Sequence, residues 1–173
     1  MMRSLFGGRQ RSVFHAGKEL GAYRNDLHER TQRIDARLLE LGDDIDALRR
    51  RAIDPDEAVA RLTIHEDALD ADADGLREMM APEELHGLHM EYEANLERAL
   101  RGLVTVERGC TITRLPHRPP DDEEPYTYYK RGHANVNHAR LRMAEIVEVL
   151  LSWEPGAPTE ATVTARMERR KRA

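Results

Sequence analysis

Apolar residues recur at helical spacing in four separate segments of the chain. In the first segment one series repeats every seven residues and a second occupies the complementary positions: Leu20, Leu27, Ile34, Leu41 and Leu48, then Leu38 and Ile45. A seam of this kind is typical of coiled-coil-like packing. The pattern predicts a long first helix over residues 15–52.

Capping and turn signals divide the next sixty residues into two further helices. Asp54 and Pro55 supply an N-cap and a first-turn proline, which predicts a second helix over residues 54–80. Residues 81–84 read Ala-Pro-Glu-Glu and predict the start of a third helix, over 82–109, because first-turn carboxylates face the positive end of the helix dipole.

The segment after the third helix breaks the helical pattern. Residues 110–125 contain four prolines and four consecutive acids, which predicts a loop or mobile linker. A fourth helix is then predicted over residues 126–154, ending before Pro155 and Gly156. The first three helices are joined by short links, so we expect an all-α fold, a four-helix bundle over residues 15–154. Flexible basic segments, residues 1–14 and the basic tail (residues 155–173), flank it.

Composition supports an all-helical chain and restricts its setting. Hydrophobic residues make up 40% of the sequence but aromatic residues only 5%, so the core must be mostly aliphatic. The single cysteine, Cys110, excludes an internal disulfide and a cysteine-based zinc cluster. No apolar run is long enough for a transmembrane segment, and we see no secretory signal. We therefore expect a cytoplasmic protein.

One short motif invites a metal interpretation. Glu83 and His86 form a Glu-x-x-His pair, which di-iron bundles use on two of their helices. Unrolled at about 100° per residue, the third helix directs Glu83 away from the apolar stripe. No second Glu-x-x-His pair is present on the fourth helix, so the di-iron hypothesis is rejected.

The same unrolling places a histidine on the inner face of three different helices. His65, His89 and His133 all fall within or beside an apolar stripe, and Glu66 flanks His65. Two imidazoles and a carboxylate could bind a divalent metal such as zinc. At most two of the three histidines can share a layer, and the direction of the fourth helix decides which two. The alternative, which we favour, is that each is half-buried and hydrogen-bonded to neighbouring side chains.

Nucleic-acid binding has two candidate regions. Residues 126–138 interleave tyrosines with basic side chains, as strand-binding proteins do, although the simpler explanation is that the tyrosines pack in the core. The second candidate is the two basic ends, residues 1–14 and the basic tail, which could bind nucleic acid or an anionic membrane. They could also pair with the bundle of another copy, which is acidic because the whole chain has a net charge of −5 despite its basic ends. The basic residues of the tail are Arg166, Arg169, Arg170, Lys171 and Arg172.

Surplus apolar surface indicates a protein partner. The fourth helix carries a second apolar face beside its inner stripe, formed by Leu141, Ile146, Val149 and Trp153. Such a helix is buried on two sides or contacts a partner. The first helix is longer than the others and is preceded by further apolar residues, so its overhang could pair with another subunit. An inward Arg140 on the fourth helix needs a carboxylate or carbonyl partner.

These patterns favour a non-enzymatic interaction or scaffold protein that self-associates as a homo-oligomer or binds a protein partner. No glycine-rich phosphate loop follows a strand, and Cys110 has no evident base beside it. Two alternatives stay open. One is a metal- or small-ligand-binding bundle that uses the core histidines, and the other is a nucleic-acid-associated protein that acts through its basic ends.

Overall fold

The chain folds into four α-helices, as the apolar pattern predicts. The computed structural model describes residues 7–117 and 119–157, with side chains described from residue 19 onward. Helix α1 spans Gly7–Arg49, α2 spans Pro55–Arg77, α3 spans His86–Arg114 after a short 3-10 turn at Glu83–Leu85, and α4 spans Pro125–Ser152. No strand occurs in these two ranges. The all-α class and the bundle with its long first helix are confirmed.

Cross-helix ion pairs define the directions of the helices. Asp44 and Arg33 of α1 contact Arg61 and Asp72 of α2, respectively, so these two helices run antiparallel. Glu91 near the start of α3 binds Arg142 in the second half of α4 at 2.6 Å. Tyr129 near the start of α4 packs on Gly109 near the end of α3. Helix α4 is therefore antiparallel to α3, and the bundle is up-down-up-down.

Two helix boundaries differ from the sequence prediction by five residues or more. Helix α1 begins at Gly7, so residues 7–14, expected to be flexible, are helical; a helix propagates more easily than it nucleates, and two glycines do not stop it. Helix α3 continues through Gly109 to Arg114, which places residues 110–114 in a helix instead of the predicted loop. Gly109 is there for packing, because an added Cβ would lie 2.7 Å from Tyr129 Cε1.

Small residues allow α3 and α4 to approach closely. A Cβ on Gly132 would lie 2.5 Å from the carbonyl oxygen of Gly102, and one on Gly102 would lie 3.0 Å from the carbonyl oxygen of Gly132. Ala139 continues the same face of α4 and is fully buried. The buried stripe of α4 therefore runs through Gly132 and Ala139, one position before the predicted His133 and Arg140.

Because the buried stripe of α4 is rotated by one position, most of the predicted outer interaction face of α4 is buried inside the bundle, and the prediction is wrong. Ile146, Val149 and Trp153 are 0%, 1% and 5% exposed, and only Leu141 is open to solvent, at 60%. Helix α4 packs against α3 on one side and α1 on the other, so its second apolar face is covered within the chain. Arg140 lies at the edge of the stripe and has the predicted carboxylate partner, with Nε 2.8 Å from Asp35 Oδ1.

None of the helices formed by the described residues is long and apolar enough to span a membrane. Residues 1–6 and the basic tail beyond residue 157, including all five of its candidate binding residues, lie outside the described residues.

Candidate functional site

His89 is buried in a chain of hydrogen bonds that crosses the bundle from α1 to α3. Tyr23 of α1 lies with its hydroxyl 2.9 Å from His89 Nδ1. His89 Nε2 lies 3.1 Å from the carbonyl oxygen of Leu76 and 2.9 Å from Glu93 Oε1. Because two acceptors face Nε2, this nitrogen carries the ring proton and Tyr23 donates to Nδ1. Burial, and secondarily the charge of Glu93, raise the pKa of Tyr23.

His65 lies nearer the opposite end of the bundle, with Nε2 3.0 Å from Asp44 Oδ2. Partial burial raises the pKa of Asp44, but hydrogen bonds from His65 and Arg61 outweigh that effect, so the pKa is lowered overall. The other ring nitrogen of His65, Nδ1, is buried without a hydrogen-bond partner among the described residues. Glu66 faces Glu107 across α2 and α3, and burial together with that charge raises the pKa of Glu107.

His133 occupies the same end of the bundle as His65 but a different flank of α1. Its Nε2 is 3.5 Å from Asp46 Oδ1, and its Nδ1 is 3.2 Å from Arg49 Nη1. Burial lowers the pKa of His133, and Arg49 lowers it further while Asp46 acts in the opposite direction. His133 is therefore engaged with the end of α1.

The three histidines and Glu66 do not converge on a common point. His65 and His133 each have their own α1 carboxylate, and His89 lies toward the other end of the bundle. No group of three or more His, Cys, Asp or Glu side chains in the described ranges could hold a metal ion. Each histidine has hydrogen-bond partners, as the alternative interpretation expects.

The tyrosines and basic residues of residues 126–138 are largely engaged in the fold. Tyr128 and Tyr129 are buried. Arg131 binds Glu123 of the loop at 2.8 Å, and Arg108 binds Asp122 at 2.7 Å while its guanidinium lies 5.7 Å from the Tyr128 ring. The acidic loop thereby neutralises basic side chains that could otherwise contact phosphate.

A large groove opens at the end of the bundle where α2 turns into α3. The cavity has a volume of ≈ 830 Å³ and lies between the early part of α1, the α2–α3 link and the end of α4. We call it the end groove. Its apolar wall consists of Leu20, Ala22, Tyr23, Met79, Met80, Ala81, Pro82, Trp153 and Pro155, and its charged residues are Glu19, Asp26, Arg30, Glu78, Glu83 and Glu84.

Hydrogen bonds hold the floor of the end groove in place. The Trp153 indole N–H donates to the carbonyl oxygen of Ala157 at 2.7 Å, and Arg24 donates to the carbonyl oxygen of Trp153. Tyr23, beside Trp153 in the wall, is fixed by its bond to His89. The link is partly open to solvent, and Met80 within it is 90% exposed. The groove thus combines a fixed apolar floor with an accessible apolar rim.

The charged side chains of the end groove differ from those elsewhere in the bundle because they lack ion-pair partners among the described residues. Five carboxylates face one basic side chain, Arg30, whose guanidinium lies against Gly75. None of the six forms an ion pair with another described residue, although cross-helix pairs occur elsewhere in the bundle, such as Arg33 with Asp72. Unneutralised carboxylates in a shared concave surface create a negative potential that attracts cations.

The apolar pattern of the sequence does not predict this groove. Glu83 and Glu84 are explained as charges that stabilise the start of α3, and no motif singles out Glu19, Asp26 or Glu78. One local signal is present: residues 79–82 read Met-Met-Ala-Pro, four consecutive apolar residues in a link that should be exposed. An apolar turn is an anomaly that indicates a packing or binding surface.

A second cavity of ≈ 660 Å³ lies at the opposite end, where α1 turns into α2. Its charges are mixed and several have partners. Asp54 caps α2 by accepting from the backbone N–H groups of Asp56 and Glu57, and Glu57 binds Arg61 at 2.6 Å. Arg49 pairs with Asp46 and lies 6.0 Å from the Tyr126 ring. This cavity lacks the concentration of unpaired charge found in the end groove.

Comparisons of the chain with protein-family models, with curated proteins and with solved structures find no match.

Proposed function

We propose that this chain is a non-enzymatic helical interaction or scaffold protein whose end groove binds a basic, partly apolar segment of a polypeptide. One observation carries the proposal. The groove joins an apolar wall to five carboxylates that have no ion-pair partner among the described residues. A ligand that supplies apolar side chains and positive charge together would complement both features.

The two features contribute differently to binding. Burial of apolar surface against Met79, Met80 and Pro82, which are partly or fully exposed, supplies affinity, at about 25 cal/mol per Å² removed from water. The carboxylates steer a cationic ligand and select against acidic ones. The volume of ≈ 830 Å³ lies within the range of about 300–1,000 Å³ typical of ligand pockets. An extended surface rich in acids favours a peptide with several cationic side chains over a small neutral molecule.

The surroundings of the groove support binding without catalysis. His89 is the nearest core histidine, and it is only 2% exposed with both ring nitrogens engaged. Burial raises the pKa of Tyr23, so its hydroxyl stays protonated and acts as a donor. The cytoplasmic location expected from the sequence belongs to the same proposal.

Self-association through α1 is the second part of the proposal. Arg24 of α1 contacts the end of α4 at Trp153, and Arg30 contacts Gly75 near the end of α2. Helix α1 starts at Gly7, so its first four turns precede that level. In the sequence, Val13 lies seven residues before Leu20 and continues the seven-residue apolar series. A second copy of α1 is the partner that would best match this series.

Titration with a labelled peptide composed of lysine and leucine tests groove binding. Fluorescence anisotropy should report binding at low salt that weakens as salt is raised, because exposed charges are screened. Glu83→Gln combined with Glu84→Gln should weaken binding roughly two- to thirtyfold, since each exposed ion pair contributes about 0.2–1 kcal/mol. A peptide of glutamate and leucine should not bind.

The matched control removes the same charge elsewhere. Asp67 and Asp70 are exposed carboxylates of α2 that form no ion pair with any described residue and do not line the groove. Asp67→Asn combined with Asp70→Asn should leave the affinity for the lysine–leucine peptide unchanged. Equal weakening in the two double variants would show that only net charge matters, and the groove proposal would fail.

A further inference from the structure

The charge and position of the end groove also suggest which basic segment reaches it first. We infer that the basic tail of the same chain, through residues 158–173, occupies the end groove when no partner is bound. The inference rests on the proposed function of the groove, and it adds that a partner must displace a segment the chain itself supplies.

The described part of the chain ends at the groove. Pro155 lines the cavity, and the carbonyl oxygen of Ala157 accepts the hydrogen bond from the Trp153 indole N–H at 2.7 Å. Ala157 is packed against the core of the bundle. The described chain therefore ends at the rim of the groove.

The distance to the charged part of the tail is short. From Ala157 to Arg166 the chain spans at most about 30 Å when extended. A helix with its side chains is about 10–12 Å wide, so this length is enough to return across the end of the bundle. A short tether of this kind gives an effective concentration of about millimolar, which favours the tail of the same chain over that of a second copy.

The composition of the tail matches the groove in both respects. Residues 166–172 contain five basic side chains and one acid. Val163 and Met167 precede or interrupt the basic residues and offer apolar side chains to the wall. The groove carries five carboxylates and one arginine, a net of −4, and residues 158–173 carry five basic and two acidic side chains, a net of +3, so the two are opposite in sign.

Zero-length cross-linking with a carbodiimide tests where the tail lies. Only three lysines occur in the sequence, Lys18, Lys130 and Lys171, so Lys171 alone reports on the tail. In the full chain at low salt, mass spectrometry should find Lys171 joined to Glu78, Glu83 or Glu84. An equal mixture of light and nitrogen-heavy chains should give cross-linked peptides of a single isotope, as required for contact within one chain.

A charge variant provides the control. Changing Arg166, Arg169, Arg170 and Arg172 to Gln keeps Lys171 and should lower the yield of these cross-links severalfold. Cross-links of Lys130, which is exposed on α4, should keep their yield. The same variant should bind the lysine–leucine peptide severalfold more tightly than the wild-type chain, because the competing segment is weakened.

Two outcomes would overturn the inference. Cross-links from Lys171 spread over carboxylates of the opposite end, such as Glu57, would place the tail elsewhere, and mixed-isotope products would assign it to a second copy. Equal peptide affinity for the wild-type chain and the arginine variant would also contradict the inference, while groove binding itself stands. Failure of both chains to bind the peptide would instead contradict the proposed function.

Discussion

Three polar side chains in contact with one another connect α1 to α3 beside the end groove. Tyr23, His89 and Glu93 come from two helices: the Tyr23 hydroxyl is hydrogen-bonded to His89 Nδ1 at 2.9 Å, and Glu93 Oε1 lies 2.9 Å from His89 Nε2. The tyrosine hydroxyl donates to the imidazole, and the imidazole donates to the carbonyl oxygen of Leu76 beside the carboxylate. Buried polar groups of this kind are costly when a partner is lost.

Removing the tyrosine hydroxyl should therefore destabilise the fold. Tyr23→Phe keeps the ring but leaves His89 Nδ1 buried without a donor, which costs about 1–3 kcal/mol. Urea unfolding followed by circular dichroism should show a lower midpoint with an unchanged slope. Tyr126→Phe is the control: this residue is 53% exposed, and the change should stay within about 0.5 kcal/mol. Equal midpoints for the two variants would mean that the hydroxyl contributes nothing to stability.

The sequence predicts part of this network. The position of His89 on the apolar stripe indicates that it faces inward, because the stripe of α3 is regular. Tyr23 could not be identified as its partner, since that contact joins α1 and α3 across the bundle and depends on how far the helices are shifted along their axes. Arg140 is the opposite case: the need for a carboxylate was predictable, whereas Asp35 as the partner was not.

At the level of helices, a glycine can end a helix or allow a neighbouring helix to approach closely, and the sequence alone does not distinguish these two roles. Gly109 is expected to end α3, yet it lies inside that helix under Tyr129. Gly132 and Gly102 bring α4 onto α3, and this contact sets the rotation of α4. That rotation buries the apolar face that includes Ile146, whose exposure could not be judged without knowing that α4 packs on two helices.

Helix α1 carries the prediction for self-association. At tens of micromolar, sedimentation should give the mass of a dimer or larger oligomer for the wild-type chain. Val13→Glu should shift the mass toward the monomer, because a charge at a core position of paired helices is desolvated without a partner. Leu141→Glu, at an exposed apolar position on α4, should leave the mass unchanged. A monomeric wild-type chain at these concentrations would contradict self-association.

Across the whole molecule, the paired loop acids and the unpaired groove carboxylates lie at opposite ends of the bundle. Asp122 and Glu123, in the loop between α3 and α4, are paired with Arg108 and Arg131, whereas the carboxylates of the end groove are not paired with any described residue. Net charge of −5 shows neither the pairing nor the unpaired cluster, because it sums over both. The described chain ends at the same end of the bundle as the unpaired carboxylates. A short tether therefore keeps the basic residues of the tail within reach of the charges that attract them.

The central claim is that the end groove is the binding surface of this molecule. Nuclear magnetic resonance of the nitrogen-labelled chain, with the lysine–leucine peptide added stepwise, tests it most directly. We predict that amide shifts change around residues 19–30, 75–84 and 153–157, which surround the groove. Shifts centred on the opposite cavity, around Ile53 and Tyr126, or no shifts at saturating peptide, would contradict the claim.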